Sequence, residues 1–462
     1  KPFTYAAAMN PLRDDPWTAA TMILDVETPF VTRKLESYTP ANYGLVEHGP
    51  VLVREALASS YNIPAVVALE DVGIESFINL VDNAGLEMLS RNTNVDLSIT
   101  LGGGEVRLLD LVQSYSIFAN GGFRVDPSYI LKIETHDGEI LYEWDQPMLD
   151  RRVLDERLAY IVTDMMADET ARIPAFGRNS ALSIGRPAAA KTGTTTDFRD
   201  NWVVGYTPNL VVGVWVGNAD NAAMVEVTGI TGAGPIWNAF MRRVLRGQPE
   251  LEFQRPDDIL ETEVCALSGL LPTEDCALRR MELFLPGTVP TAEDNMYQTF
   301  VIDRDTGLLA TEDTPADRLV EQVYIVLPQE AREWGIRNGV RQPPLDAAVQ
   351  IPDADAPVRL LNPDPYAIFQ ISPIVPADTQ RVRFEVGVPP GTQQVTYRLN
   401  DEPIATVDDG AWSIWWQLQL GEYTLDAVAT LEDGSTQTSD PLIFTVREYE
   451  EPQSRTVEDD VP

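Results

Sequence analysis

The sequence is poor in histidine, cysteine and lysine, which supply most metal ligands and many catalytic cations. Only 2 His and 2 Cys occur among 462 residues, so a four-ligand zinc site would need nearly all of them. We therefore expect no metal centre and no cofactor. Lysine occurs only at Lys1, Lys34, Lys132 and Lys191, so each of these residues needs a specific reason.

Positive charge and long apolar runs are also scarce. The chain has 34 Lys plus Arg against 71 Asp plus Glu, a net charge of −37, and a nucleic-acid partner would need a basic surface instead. No apolar run reaches the roughly 18 residues of a membrane span, and the opening residues lack the pattern of a signal peptide. Because the sequence begins with Lys rather than Met, we expect a fragment of a longer parent.

The first 250 residues alternate between helical and strand patterns. Apolar spacing predicts helices at 4–9, 52–58, 64–69, 75–84, 108–118 and 235–245. Apolar and β-branched runs predict strands at 188–194, 202–206 and 210–216, the last two joined as a hairpin by Thr207-Pro208-Asn209. The pattern favours an α+β domain over 1–250, with helices packed on an antiparallel sheet.

The remaining sequence divides by composition into three parts. Residues 251–355 are rich in Pro, Gly and acidic residues and contain Cys265 and Cys276, which indicates a loop-rich connector. Seven short strands separated by turns are predicted between 356 and 447, as in an all-β immunoglobulin-like sandwich. The tail over 448–462 is acidic and lacks apolar periodicity, so we expect it to be disordered.

The sharpest local motif is Lys191-Thr192-Gly193-Thr194, at the end of an Ala-rich strand. A cation and hydroxyls at a strand edge suit a substrate carboxylate, and Gly193 lets the backbone approach closely. A similar string occurs in the phosphorylation loop of P-type ATPases, where an Asp that takes the phosphoryl group precedes the Lys. That position is Ala190 here, so the ATPase interpretation lacks its nucleophile.

A second motif, Ser60-Tyr61-Asn62, lies between two predicted helices. The Ser60 hydroxyl and the Asn62 amide can face one cleft, with Ser60 relaying a proton and Asn62 orienting a substrate amide. The alternative is purely structural, because Ser and Asn are also among the best helix-capping residues.

Lys1 completes a series of three motifs. Their residues and order resemble the serine acyltransferases, the penicillin-binding proteins and β-lactamases, whose motifs are Ser-x-x-Lys, Ser-x-Asn and Lys-Thr-Gly. Within that group the sequence is similar to the transpeptidase domain of class A penicillin-binding proteins, and the all-β region is similar to the domain that ends the 1C type. The supporting stretches are 38–43, 54–57, 118–122, 191–197 and 201–208.

The resemblance implies the penicillin-binding transpeptidase fold and D-alanyl-D-alanine transpeptidation of peptidoglycan stem peptides. Lys1 would accept the proton of the nucleophilic serine, with its pKa lowered by burial and by Lys191. Ser60 would pass the proton to the leaving amine, and Asn62 would hold a substrate amide. β-Lactam antibiotics, which mimic the D-Ala-D-Ala amide, would react at the same site.

The Lys-Thr-Gly motif would bind the other end of the substrate. The resemblance implies that Thr192, Gly193 and Thr194 bind the terminal carboxylate of the substrate. The N–H of Thr194 would supply half of an oxyanion hole, and the nucleophile's own N–H the other half.

The first motif is incomplete in this sequence. The serine of Ser-x-x-Lys precedes the lysine by three residues, one helical turn away, and Lys1 is the first residue. We therefore expect the fragment to be inactive. The resemblance places the serine, a membrane anchor and a glycosyltransferase domain upstream in an extracytoplasmic parent. In that compartment Cys265 and Cys276 would form a disulfide, with two free thiols as the alternative.

Two other functions stay open at this stage. The chain could be a non-catalytic binding or scaffold module of the cell wall, whose sandwich recruits a protein partner. The parent could also be a hydrolase of the same fold, a D,D-carboxypeptidase or a β-lactamase. The sequence shows no Glu-containing loop that would position a deacylating water, which disfavours the β-lactamase.

Overall fold

The computed structural model describes residues 1–31, 37–90, 95–145, 151–195, 198–225, 227–344, 358–363, 368–371, 381–389, 391–408, 412–432 and 434–448. Lys34, the connector residues 345–355 and the expected tail from 449 onward lie outside the described residues. Glu448, expected as the first residue of the tail, ends a strand instead.

Helices make up most of the region that surrounds the sheet of the first 250 residues. They are α1 (Pro2–Ala8), α2 (Val53–Ala58), α3 (Ile63–Val72), α4 (Ile74–Asn83), α5 (Glu87–Ser90), α6 (Leu108–Ala119), α7 (Glu156–Ala167), α8 (Ile173–Phe176) and α9 (Ala233–Val244). Pro2 begins α1, where its fixed φ suits the first helical turn, and every residue of α1 is buried. Helix α1 packs on α3 and α4, so Lys1 stands at the entry of a buried helix.

Short antiparallel pairs precede the central sheet. Their strands are β1 (Met22–Asp25), β2 (Phe30–Val31), β3 (Ser37–Tyr38), β4 (Gly49–Leu52), β5 (Lys132–Glu134) and β6 (Ile140–Glu143). Strand β1 pairs with β4, β2 with β3 and β5 with β6. The pair of β1 and β4 brings the start of β1 beside the start of α2, because Met22 faces Leu52, whereas Asp25 at the end of β1 faces Gly49.

The central sheet consists of three antiparallel strands, β7 (Ala189–Thr194), β8 (Asp200–Thr207) and β9 (Leu210–Gly217), in that order. The predicted hairpin between β8 and β9 is confirmed by the pairing of Thr207 with Leu210. Strand β7, which carries Lys191, is an edge strand. Its side chains alternate between two faces, as a strand requires.

Each face of the sheet is covered by helices. Ala189 and Val204 belong to the large core that includes α1, α6 and α7, whereas Ala190 and Val203 pack with Trp237 of α9. A Cβ atom on Gly205 would come within 2.5 Å of the Trp237 ring. Glycine at that position therefore lets α9 approach the sheet closely.

Residues 251–344 are more regular than the composition of the expected connector suggests. They contain two antiparallel hairpins, β10 (Leu260–Cys265) with β11 (Arg279–Phe284) and β12 (Tyr297–Asp303) with β13 (Leu319–Ile325), followed by α10 (Arg332–Arg337). A disulfide joins Cys265, the last residue of β10, to Cys276 in the loop before β11.

A buried ion pair holds the first of these hairpins on the helical region. Arg54 of α2 donates to Glu282 of β11 from Nε at 2.8 Å and from Nη2 at 2.5 Å. Both residues are nearly inaccessible, at 5% and 1% exposure. Burial alone would lower the pKa of Arg54, but the hydrogen bonds and charge of Glu282 raise it, so the guanidinium stays charged.

The described residues of the carboxy-terminal part are all-β and form two sheets. Its strands are β14 (Arg359–Asn362), β15 (Ile368–Ile371), β16 (Arg381–Gly387), β17 (Thr392–Leu399), β18 (Glu402–Val407), β19 (Ser413–Gln417), β20 (Gly421–Leu431), β21 (Thr436–Thr438) and β22 (Leu442–Glu448). One sheet has the order β14-β16-β19, and the other has the order β15-β22-β20-β17-β18 with β21 beside β20. Phe384 of the first sheet contacts Tyr397 and Phe444 of the second, so both sheets share one core.

Candidate active site

The three sequence motifs meet at one cavity. The cavity has a volume of about 720 Å³ and lies where the start of α1, the loop between α2 and α3, and the edge strand β7 come together. It is lined by all seven residues named from the motifs: Lys1, Ser60, Asn62, Lys191, Thr192, Gly193 and Thr194. Residues far apart in the sequence thus share one cleft.

Lys1 reaches across the cavity to the Ser60–Asn62 loop. Its Nζ atom donates to the carbonyl oxygen of Ser60 at 2.6 Å and to Oδ1 of Asn62 at 2.6 Å. The Oγ atom of Ser60 lies 3.4 Å from the same Nζ. The amine is therefore fixed by neutral oxygen acceptors rather than by a carboxylate.

The loop that carries Ser60 is held in an uncommon conformation. Ser60 has a φ of +64°, in the left-handed region that few residues other than glycine adopt. Asn62 stands at the N-cap position of α3, but its side chain makes no capping hydrogen bond. It instead accepts from Lys1 and donates to the carbonyl of Ala41. The capping interpretation therefore does not describe Asn62.

Lys191 approaches Ser60 from the opposite side. Its Nζ atom donates to Oγ of Ser60 at 2.5 Å and to the carbonyl of Thr192 at 3.0 Å. The side chain is buried, at 6% exposure. The Ser60 hydroxyl consequently lies between two amines, one from α1 and one from β7.

Both amines have pKa values below that of an ordinary lysine. Burial lowers the pKa of Lys191 from 10.5 to about 7, and the nearby charge of Arg172 adds to the effect. Burial also lowers the pKa of Lys1 well below the ordinary value, with Lys191 as the second cause. Asp25 opposes this shift for Lys1. A lysine with a lowered pKa can accept a proton near neutral pH, as a general base must.

The rest of the Lys-Thr-Gly motif forms one rim of the cavity. Thr192 and Gly193 are half-buried and Thr194 is exposed. The Oγ1 atom of Thr194 accepts a hydrogen bond from the N–H of Gly229 at 2.9 Å, which leaves its hydroxyl proton available to an anion. The rim therefore offers hydroxyl donors beside the Lys191 ammonium, a combination that suits a carboxylate.

Several residues of the site were not identified from the sequence. Asp25 and Asn42 lie behind the Ser60–Asn62 loop and hydrogen bond to each other. Arg172 is 2% exposed and acts on Lys191. Trp202 of β8 also lines the cavity. These contacts join segments that are distant in the sequence, so no local pattern predicts them.

The described residues offer no cluster of three or more His, Cys, Asp or Glu side chains that could hold a metal ion. The chemistry that the cavity can support is proton transfer among two amines and a hydroxyl, next to an anion-binding rim. In the same described residues, no helix combines the length and the apolar character needed to cross a bilayer.

Comparison with known proteins decides the family. Residues 27–242 match the penicillin binding protein transpeptidase domain, and residues 255–299 match the C-terminal domain of penicillin-binding protein 1A. The chain carries the transpeptidase domain of class A penicillin-binding proteins. Ser60, Asn62 and Lys191 fall within the matched transpeptidase residues, and Lys1 precedes them. The finding confirms the resemblance drawn from the three motifs.

Two curated relatives illustrate the extent of the similarity. The chain is 30% identical over 392 residues to penicillin-binding protein 1C of Escherichia coli, covering 81% of this chain and 47% of that protein. It is 31% identical over 297 residues to penicillin-binding protein 2D of Bacillus subtilis, covering 63% of this chain and 41% of that protein. The chain thus spans less than half the length of either penicillin-binding protein.

A solved structure shows the same fold. The crystal structure of penicillin-binding protein 1A from Haemophilus influenzae superposes with a TM-score of 0.57 at 26% identity. The match covers 64% of this chain and 48% of that one. The penicillin-binding transpeptidase fold, with helices around an antiparallel sheet, is therefore shared.

Proposed function

We propose that the cavity is the acyl-transfer site of a peptidoglycan D,D-transpeptidase. The observation that carries the proposal is the position of the Ser60 hydroxyl, 2.5 Å from Nζ of Lys191 and 3.4 Å from Nζ of Lys1. Two buried amines with lowered pKa values on either side of one hydroxyl form a path for a proton. The substrate would be a stem peptide ending in D-Ala-D-Ala.

The reaction would begin with a serine placed three residues before Lys1. Neutral Lys1 takes the proton of that serine as its oxygen bonds to the penultimate D-Ala carbonyl carbon. The C–N bond of the resulting tetrahedral intermediate then breaks. The leaving D-Ala amine receives the proton from Lys1 through Ser60, so the charges balance and an acyl-enzyme remains.

The acyl group would then pass to an amine on the stem peptide of a neighbouring peptidoglycan strand. That amine gives up a proton along the same path in reverse and forms the new amide bond, which releases the serine. Thr192 and Thr194 would hold the terminal carboxylate with Lys191, and Asn62 would hold a substrate amide. The N–H of Thr194 would stabilise the oxyanion of the intermediate.

The test is acylation by a fluorescent penicillin. We expect the polypeptide of residues 1–462 to stay unlabelled, and the same chain extended by Ser-x-x before Lys1 to be labelled. The matched control carries Ala-x-x in place of Ser-x-x and should stay unlabelled. Labelling of the unextended polypeptide would contradict the placement of the nucleophile. An unlabelled Ser-x-x chain would favour the non-catalytic cell-wall module.

Product analysis separates transpeptidase from hydrolase. With a D-Ala-D-Ala peptide and an added amine acceptor, the extended chain should form the cross-linked amide as well as free D-alanine. A D,D-carboxypeptidase would release D-alanine without the amide, and a β-lactamase would turn penicillin over rather than keep a stable adduct. The absence of the amide product would overturn the transpeptidase assignment.

We further propose that the carboxy-terminal part is an immunoglobulin-like sandwich. The support is its two sheets over one core and the parallel pairing of β15 with β22 in an otherwise antiparallel sheet. Recruitment of a cell-wall protein by this sandwich stays a prediction. An extracytoplasmic location, with an anchored parent that also has a glycosyltransferase domain, would follow from the family and is tested by locating the parent in cell fractions.

A further inference from the structure

Behind the Ser60–Asn62 loop lies a chain of hydrogen bonds that starts at a buried carboxylate. Asp25 ends β1, and its side chain has no exposed surface. Both of its oxygens lie 2.8 Å from Nδ2 of Asn42, and Oδ2 lies 2.5 Å from Nδ1 of His48. Burying a carboxylate costs free energy unless hydrogen bonds or nearby opposite charges compensate for the loss of water.

The contacts of Asn42 fix which way its amide faces. Its Nδ2 atom donates to Asp25 and to the carbonyl of Val46 at 2.9 Å, so both amide hydrogens are used. The oxygen, Oδ1, must then face the other way. It accepts from the backbone N–H of Asn62 at 2.7 Å and lies 3.4 Å from that of Ile63.

The series of hydrogen bonds continues to the Nζ atom of Lys1. The residue whose N–H is held by Asn42 is Asn62, and Oδ1 of Asn62 accepts from Nζ of Lys1. His48 adds a second contact, because its ring stacks on Tyr61 at a centroid distance of 3.8 Å and an interplanar angle of 16°. Asp25 therefore supports the loop both through Asn42 and through His48.

We propose that Asp25 and Asn42 are a positioning pair that orients the Ser60–Asn62 loop toward Lys1 and places a negative charge in the field of its amine. The pair touches no reacting atom, so it acts through the loop. The inference rests on the proposed function for its catalytic meaning, although the hydrogen bonds and the field can be tested in the polypeptide of residues 1–462.

The charge of Asp25 has a defined sign at Lys1. It raises the pKa of Lys1, against the lowering by burial and by Lys191. Removing the charge should therefore lower the Lys1 pKa further. The groups that titrate or carry charge around this network are Lys191 of β7, Asp25 of β1, His48 before β4, Tyr5 of α1, Tyr61 of the loop and the α-amino group of Lys1.

The test is an NMR titration of lysine side chains, which is simple because the chain has four lysines. In residues 1–462 labelled at lysine Cε, Asp25→Asn should shift the Lys1 titration to lower pH. The reciprocal swap, Asp25→Asn with Asn42→Asp, restores a donor facing an acceptor and keeps one carboxylate, so Lys1 should return toward the wild-type midpoint. The rescue is incomplete because Val46 loses its donor.

Asn83→Asp is the matched control. Asn83 donates to the Asn79 carbonyl on the exposed side of α4, so Asn83→Asp adds the same charge as Asn42→Asp, but away from the cavity, and should leave the Lys1 midpoint unchanged. An identical Lys1 midpoint in wild type, Asp25→Asn and the swap would overturn the inference. If thermal unfolding shows that Asp25→Asn does not fold, the comparison of the Lys1 midpoint in the swap with that in Asn42→Asp alone decides the inference.

Acylation kinetics provide the second readout. In the chain extended by Ser-x-x, Asn42→Asp should slow penicillin acylation about 10- to 100-fold through misplacement of the loop, and the swap should recover part of the loss. A swap no faster than Asn42→Asp would contradict the positioning role. If the extended wild type is not labelled at all, the proposed function fails, while the lysine titration still decides this inference.

Discussion

The Nζ atom of Lys191 lies 2.5 Å from the Oγ atom of Ser60, although the two residues are 131 positions apart in the sequence. This contact links the edge strand β7 to the loop between α2 and α3. It also distinguishes Ser60 from the preceding serine, Ser59, whose Oγ donates to the carbonyl of Ala171 at 2.7 Å. Two adjacent hydroxyls thus have different partners, which separates catalytic from structural effects.

The two serines give a matched pair of substitutions. In the chain extended by Ser-x-x, Ser60→Ala should slow penicillin acylation by about 100-fold or more, because the proton path loses its middle member. Ser59→Ala should leave the acylation rate within a few fold. It should lower the free energy of unfolding by about 1 to 3 kcal/mol, because the buried Ala171 carbonyl loses its donor.

Stopped-flow acylation and urea denaturation of both variants provide the measurements. The assignment of Ser60 as a proton relay is wrong if both alanine variants acylate at the wild-type rate.

Burial of Lys191 should make stability depend on pH. The folded protein releases the Lys191 proton at about 7, whereas the unfolded chain holds it up to about 10.5. Between these values the unfolded state binds more protons, so this residue makes stability rise with pH. Below about 7 the folded state carries the full cost of a buried ammonium, and above about 10.5 that cost disappears.

Lys191→Met removes the pH-dependent contribution of the buried amine and keeps a side chain of similar length. The variant should be more stable than wild type at neutral pH and below, by an amount on the order of a few kcal/mol. Its advantage should shrink as pH rises toward the ordinary lysine value. Urea denaturation of both proteins at a series of pH values measures the difference. A difference that stays constant with pH would show that the Lys191 pKa is not lowered.

The buried ion pair between α2 and β11 should be a major support of the fold. Glu282→Ala removes the closest counter-charge of Arg54 and leaves the partly exposed Asp164 and Asp168 as its partners, so the free energy of unfolding should fall by about 3 kcal/mol. Glu263→Ala on the neighbouring strand is the control. Glu263 is half-exposed and lies 3.5 Å from Arg279, so its loss should cost about 1 kcal/mol or less. Equal losses in urea denaturation would contradict the ranking.

The disulfide between Cys265 and Cys276 should add measurable stability to the first hairpin. It closes a loop with a sequence separation of 11, for which the constraint on the unfolded chain corresponds to about 2 to 3 kcal/mol. The double substitution of both cysteines by serine should lower the free energy of unfolding by that amount. Alkylation followed by mass measurement, with and without reduction, shows the bond directly, and free thiols before reduction would rule it out.

Regular patterns in the sequence predicted much of the fold. The hairpin of β8 and β9 follows from two apolar runs around a turn. Helix α1 was predicted at 4–9 from its apolar residues and in fact spans Pro2–Ala8. Helix α7 was missed although its signals are present, since Asp155 caps it by accepting from the N–H of Arg157. The hairpin of β10 and β11 was missed for a physical reason. Its strands are rich in Arg and Glu, and the charges are neutralised by partners that lie elsewhere in the sequence.

The site was predictable where a motif carries its own chemistry. Lys1, Ser60, Asn62 and Lys191 were identified from residue type and order, and the structure brings them together. Asp25 and Asn42 were not identified, because an Asp at a strand end and an Asn in a loop have no local signal of partnership. Their relation arises only when β1 and the loop before β4 fold against each other.

The Arg54–Glu282 pair has a consequence for how this protein can be divided. Helix α2 leads directly into the Ser60 loop, and the closest carboxylate to the Arg54 guanidinium lies beyond residue 250, where composition alone suggests a boundary. A chain cut at that point would remove the closest and most buried carboxylate around Arg54 and leave only Asp164 and Asp168, which are partly exposed. The smallest portion that folds autonomously should therefore extend through β11, so the hairpin that follows the transpeptidase domain is part of its cooperative unit.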